Sequence, residues 1–198
     1  MKKRRVLSVV LAASMFAMLL TGCGGGNQGS AEGSQAAAIG QGVAEAESCI
    51  KIGVSGTPDL DPAIVNTGSS LIAAINIYDT LIFPSNEADE GVIPRVAEDW
   101  TISEDGLTYT FNLKKGIKFH NGDELTASDV VYSMDRLLTI GEGYAYIFTS
   151  YVEPGTTVAV DDYTVEFHLK QAYGPFINAL VRLYILNEDE VKANTQST

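Results

Sequence analysis

Residues 97–138, AEDWTISEDGLTYTFNLKKGIKFHNGDELTASDVVYSMDRLL, decide how this chain folds. Trp100 to Ser103 reads as a short strand, and Glu104-Asp105-Gly106 as the turn that ends it. From Leu107 the sequence alternates. Leu107, Tyr109, Phe111 and Leu113 fall on one face, and Thr108, Thr110 and Asn112 on the other. That is the period-two pattern of a half-buried strand. An Asp-Gly pair between two such runs signals a hairpin, and Gly106 supplies the positive φ that the turn needs. Lys115-Gly116 turns the chain into a third short strand, Ile117-Lys118-Phe119, and Asn121-Gly122 turns it again. Thr126 or Ser128 then caps a helix, with Asp129 in its first turn. Val130, Val131, Met134, Leu137 and Leu138 make one apolar helical face.

This stretch closely resembles the signature of the family 5 extracellular solute-binding proteins. These are the dipeptide-, oligopeptide- and nickel-binding receptors of ABC importers. Two upstream pieces match as well, LDPA at Leu60 to Ala63 and IYDTLI at Ile77 to Ile82. The resemblance runs from about Ile50 to about Asn194 and keeps the family's order and spacing of motifs. It implies a lobe of the type II periplasmic-binding-protein kind, α/β (mixed α+β), with a mixed sheet and hairpins. It also implies that residues 49–198 are the N-terminal part of a longer, two-lobed protein, an incomplete first lobe. One wall of a cleft buries only part of a ligand, and unpaired strand edges invite aggregation. Residues 50–198 alone are therefore expected to bind peptide poorly and to dissolve poorly.

Outside the signature, the N-terminus reads as a targeting segment. Lys2-Lys3-Arg4-Arg5 precedes an apolar run from Val6 to Leu20. A span needs about 20 apolar residues, so a cleaved signal over residues 1–22 is favoured over an anchor helix. Leu20-Thr21-Gly22-Cys23 resembles the bacterial lipobox, which implies lipidation at Cys23 and attachment to the extracytoplasmic face of the cell membrane. Residues 23–48 are rich in Gly, Ala, Ser and Gln, hold no aromatic residue and read as a flexible tether. Cys49 is left single, so no structural disulfide is implied. Ile50 to Val54 alternates like a strand.

The charge is −12, and without residues 1–22 it is −16. Such a chain repels nucleic acid, so no nucleic-acid partner is expected. Acidic residues lie scattered in turns, which favour Asp for backbone hydrogen bonding. His120 and His168 share no metal-ligand spacing. Gly141-Glu142-Gly143 lacks the third glycine of a phosphate loop. Neither a catalytic constellation, a metal site nor a cofactor is expected.

The rest of the chain intermixes helices and hairpins, which places it in the α/β or α+β class. Thr157–Val160 and Tyr163–Leu169 form a second hairpin about Asp161-Asp162. A short helix follows Pro175, and Asn187 caps a last helical piece. Two stretches qualify as ligand-binding candidates. Thr67, Gly68, Ser69 and Ser70 bring hydroxyls and bare amides to a helix start, which suits a carboxylate or amide. Tyr144 and Tyr146, with Phe148, lie in a glycine-led aromatic loop that can wall a cleft. The plainer readings are that Ser69 or Ser70 caps a helix starting near Leu71, and that the aromatic residues pack in the core. In the resembled family, loops of the first lobe line the ligand cleft. The implied function is capture of a peptide, a peptide-like solute or a nickel chelate for an ABC permease. A non-transport sensor or adhesion lipoprotein on the same fold is the alternative.

Overall fold

The computed structural model describes residues 51–88 and 91–195. The signal segment, Cys23, the tether and Cys49 lie outside the described residues. Among the described residues, twelve elements follow in order. They are helix α1 (Gly68–Ile77), strands β1 (Ile82–Pro84), β2 (Val92–Pro94), β3 (Ala97–Ile102) and β4 (Thr108–Leu113), and helices α2 (Ala127–Ile140) and α3 (Ala145–Phe148). Strands β5 (Thr157–Asp161) and β6 (Thr164–His168) come next, then α4 (Phe176–Ala179), a 3-10 turn (Leu180–Arg182) and α5 (Glu188–Asn194).

Four strands form one antiparallel sheet in the order β3-β4-β6-β5. β1 and β2 form a separate antiparallel ribbon, closed at both ends by Pro84 and Pro94, residues suited to strand edges. Every pairing among these described strands is antiparallel, within a fold of mixed helix and sheet. The alternation seen in the sequence sets which face of β4 is covered. Tyr109, Phe111 and Leu113 are buried, and Val165, Phe167 and Leu169 supply the matching face from the β6 side. Phe111 and Phe167 meet edge-on with centroids 5.7 Å apart, a favourable aromatic geometry. The β3–β4 turn closes with Gly106 at φ 69°, where its amide donates to the Ser103 carbonyl at 2.9 Å.

Helix α2 lays Val130, Met134, Leu137 and Leu138 on this core and packs against β5 and β6. Its start is a capping box. The Thr126 amide donates to the Asp129 carboxylate at 2.9 Å, and Asp129 also accepts from the Glu188 amide at 2.9 Å. One carboxylate thereby caps α2 and holds the entry to α5. Gly141 ends α2 in the left-handed region at φ 73°, the usual glycine terminator. At the other end of the chain, the Asn187 side chain caps α5 by accepting from the Glu190 amide at 2.8 Å.

Four local readings of the sequence are corrected. Residues 51–54 are exposed and not a strand, because their alternation finds no partner among the described residues. The Ile117–Phe119 run is a loop with one bridge, Lys118 to Glu124. Helix α1 begins at Gly68, and its cap is Thr67, not Ser69 or Ser70. The aromatic stretch at 145–148 is a helical turn, not a loop.

Candidate functional site

The chain from Asp61 to Ser70 is pinned before it reaches α1. The Asp61 carboxylate accepts from the Ala63 amide at 3.0 Å and from both Nη atoms of Arg136, on α2, at 2.7 and 2.6 Å. This is the planar two-point pairing that arginine makes with carboxylates. Nothing local announces it, since the partners lie 75 residues apart. Arg136 beside it holds the Asp61 carboxyl below its usual range, against the opposing effect of burial.

A pH dependence follows. Asp61 is depressed in the fold, so its contribution is fully present above its unfolded value of about 4 and is lost as pH falls through the lower folded value. The carboxylate side chain is 37% exposed, so solvent screening keeps the contribution to about 1–2 kcal/mol. Asp61→Asn should lower the urea midpoint at pH 7 and change it little well below pH 4. Equal midpoints at pH 7 would show that the pair does not stabilise the fold.

Beyond this anchor the hydroxyls of the first candidate stretch turn inward. Thr67 Oγ1 accepts from the Ser70 amide at 3.1 Å. Ser70 is fully buried, lies 2.8 Å from Thr67 Oγ1, and accepts from the Asp59 amide at 2.9 Å. Ser69 Oγ lies 3.4 Å from Ser55 Oγ. These side chains therefore build the helix start. The amides of Gly68 and Ser69 take no partner among the described residues, and the space where a Gly68 Cβ would sit is open.

Residues that flank the first candidate stretch, and Tyr144 of the second, pack on one cluster around Tyr184. Val65, Ala74 and Tyr184 form a small buried cluster, and Leu71, Tyr78 and Tyr144 pack against it. Gly143 makes the approach possible. At φ 54° it lies so near the preceding segment that a Cβ would stand 2.7 Å from the Ala63 carbonyl oxygen. Tyr144 is partly buried, whereas Tyr146, with its centroid 6.5 Å away, is 71% exposed. Phe148 belongs to the main core, as the packing reading required.

Of three further residues in this region, Tyr184 and Arg182 carried no signal in the sequence, and Tyr78 was legible as part of the IYDTLI piece. Tyr78 donates to the Leu60 carbonyl at 2.9 Å, and its ring centroid lies 6.2 Å from that of Tyr184. Burial raises the pKa of both tyrosines; the Asp61 charge adds to the effect at Tyr78, and Arg182 opposes it at Tyr184. Arg182 sits over the Tyr144 ring, 5.1 Å from its centroid. A cavity of about 230 Å³ adjoins Arg182 and Tyr184.

A larger cleft of about 370 Å³ opens elsewhere, between the end of α1, the 117–121 loop and α5. Its polar groups largely satisfy one another. Asn121 and Asn187 both donate to Asp123 Oδ2, at 2.6 and 2.9 Å. No group of three His, Cys, Asp or Glu among the described residues is arranged to hold a metal.

The model of the bacterial extracellular solute-binding proteins, family 5 Middle, matches residues 91–197, just over half of the chain. Di/tripeptide-binding protein 1 of Pseudomonas aeruginosa is 32% identical over 136 residues, covering 61% of this chain and 25% of that protein. The dipeptide-binding protein of Escherichia coli is 36% identical over 141 residues, covering 62% and 26%. Among solved structures, the periplasmic binding protein DppA from Helicobacter pylori, in complex with the peptide STSA, superposes with a TM-score of 0.57. It is 32% identical, and the match covers 68% of this chain and 30% of that one. The chain thus spans about a quarter of the length of the curated relatives it matches.

Proposed function

Because this chain belongs to the bacterial extracellular solute-binding proteins of family 5, we propose that it captures a peptide or peptide-like solute outside the cytoplasm and delivers it to the permease of an ABC importer. The observation that carries the reading is the cluster around Tyr184, which packs Leu71 of α1 and Tyr144 of the aromatic stretch together. The start of α1, just before Leu71, offers the open amides of Gly68 and Ser69, and the Tyr146 ring lies 6.5 Å from that of Tyr144. Amides at a helix start suit a carbonyl or carboxylate oxygen of a peptide, and the aromatic rings suit its apolar parts. Thr67 and Ser70 shape this surface through their own hydrogen bonds. Relatives named for dipeptides and di/tripeptides support the choice of ligand class.

In this proposal residues 49–198 form one wall of the cleft, and ligand closure needs no chemistry, cofactor or metal. Residues 1–22 are a signal, Cys23 carries the lipid, and residues 23–48 tether the folded part to the membrane. The experiment is uptake of a labelled tripeptide by cells with and without the gene, alongside palmitate labelling of the normal and Cys23→Ala forms. Gene-dependent uptake and Cys23-dependent labelling are expected. Equal uptake would overturn the transport role, and equal labelling would overturn the anchor.

A further inference from the structure

Arg182 ends the 3-10 turn and is partly buried. The neighbouring arginines are committed: Arg95 pairs with Asp79, and Arg136 with Asp61. Arg182 joins none of the ion pairs among the described residues. Its guanidinium lies over the Tyr144 ring, and the residue lines the cavity of about 230 Å³. Leu71, Ile75, Phe83 and Val181 make part of that cavity's wall apolar, and the Asp79–Arg95 ion pair, whose charges offset each other, lines it as well. Tyr184 lines it too and is 5% exposed; its hydroxyl makes no hydrogen bond of ordinary geometry, although Arg182 lies near enough to act on it. A buried hydroxyl without a partner is uncommon and costs free energy, so its presence needs an explanation.

One occupant answers both features. A carboxylate takes the guanidinium fork at two points and has lone pairs left to accept from a tyrosine hydroxyl. The cation–π contact with Tyr144 helps to hold the guanidinium at this place, which lowers the cost of ordering it. The apolar wall receives the hydrocarbon part that carries the carboxylate.

We infer that Arg182 is a specificity-determining residue of the proposed solute site, taking a carboxylate of the ligand with Tyr184 as a second donor, so that anionic peptides are preferred over neutral ones. The inference rests on the solute-binding reading and adds the charge of the ligand to it.

The test compares acetyl-Ala-Glu-Ala-amide with acetyl-Ala-Gln-Ala-amide, which differ by one carboxylate. Each is titrated to millimolar concentration into the full chain while nitrogen–proton NMR spectra follow the backbone amides and the arginine side-chain Nε–H groups. The Glu peptide should shift the Arg182 side-chain signal and bind about tenfold tighter than the Gln peptide, as befits one charge-assisted hydrogen-bonded contact. Arg182→Gln should erase the preference, Arg182→Lys should keep part of it, and Tyr184→Phe should reduce it. Equal responses to both peptides at Thr67–Ser70 and Tyr144 would overturn the inference and leave the solute-binding reading standing. A preference that survives in Arg182→Gln would do the same. Binding to one wall of a cleft is expected to be weak but visible at millimolar peptide, so no shift of any amide with either peptide at that concentration would overturn both.

Discussion

Replacing Gly143 by alanine is expected to cost the fold about 2–5 kcal/mol, the sum of a left-handed backbone and a forced close contact. Gly143 has φ 54°, a conformation that side-chain-bearing residues adopt only with strain. A Cβ there would meet the Ala63 oxygen at 2.7 Å and the Ala63 carbon and Val65 oxygen at 3.1 Å. All three are backbone atoms, so no rotamer change relieves them. The 63–65 segment cannot simply retreat, because Arg136 grips Asp61 just before it and Val65 is fully buried just after it. The strain should therefore pass to Thr67 and to Tyr144, on the two sides of the proposed site. Gly141→Ala is the control. It has φ 73° but meets only the Leu138 oxygen at 4.0 Å, so it should cost about 1–2 kcal/mol from backbone conformation alone. Urea unfolding of both variants decides the matter. Equal losses would mean that the contact with Ala63 does not constrain the fold.

That contact also marks the limit of what the sequence discloses. Alternation from Leu107 to Leu113 revealed the buried face of β4, because period-two patterning records burial directly. The Thr126–Asp129 spacing disclosed the capping box, since the interaction spans three residues. Gly106 was legible for the same reason of locality. Residues 51–54 show the converse. Their alternation is genuine, but a strand exists only with a partner, and none is present among the described residues. The candidate site falls between these cases. A cap was visible in the 67–70 stretch, but on Ser69 or Ser70 rather than Thr67, and the inward turn of the hydroxyls depends on Asp59 and the chain beyond it. Arg182 and Tyr184 gave no signal, because a lone arginine and a lone tyrosine in an apolar run have no pattern. Their meeting with Tyr144 and Leu71 is set by a turn some 40 residues downstream of Tyr144 in the chain.

Phe176→Ala should be the most damaging single truncation of the core, at about 3–5 kcal/mol. Phe176 is fully buried, and three aromatic rings surround it. Its centroid lies 4.7 Å from that of Tyr109, 5.6 Å from Phe167 and 6.3 Å from Phe148. These partners belong to β4, β6 and α3, so one ring joins the four-stranded sheet to the turn that follows Tyr144. Tyr109 adds a hydrogen bond to the Tyr173 carbonyl at 3.2 Å, and the Phe176 amide donates to that same carbonyl at 2.9 Å. The backbone leading into the ring is thus held by two bonds to one carbonyl. Collapse around the missing side chain is opposed by these bonds, which leaves a cavity as well as lost contacts. Phe83→Ala provides the comparison. Its ring is 41% exposed and sits under the Arg95 guanidinium at 5.0 Å, so its loss should cost about 1 kcal/mol or less. Thermal melts should separate the two variants by roughly 5–15 °C, given the usual scaling for a chain of this size. Similar melting temperatures would mean that the sheet and the α3 turn are not joined through Phe176, and that the site's aromatic side is held by α1 and Tyr184 alone.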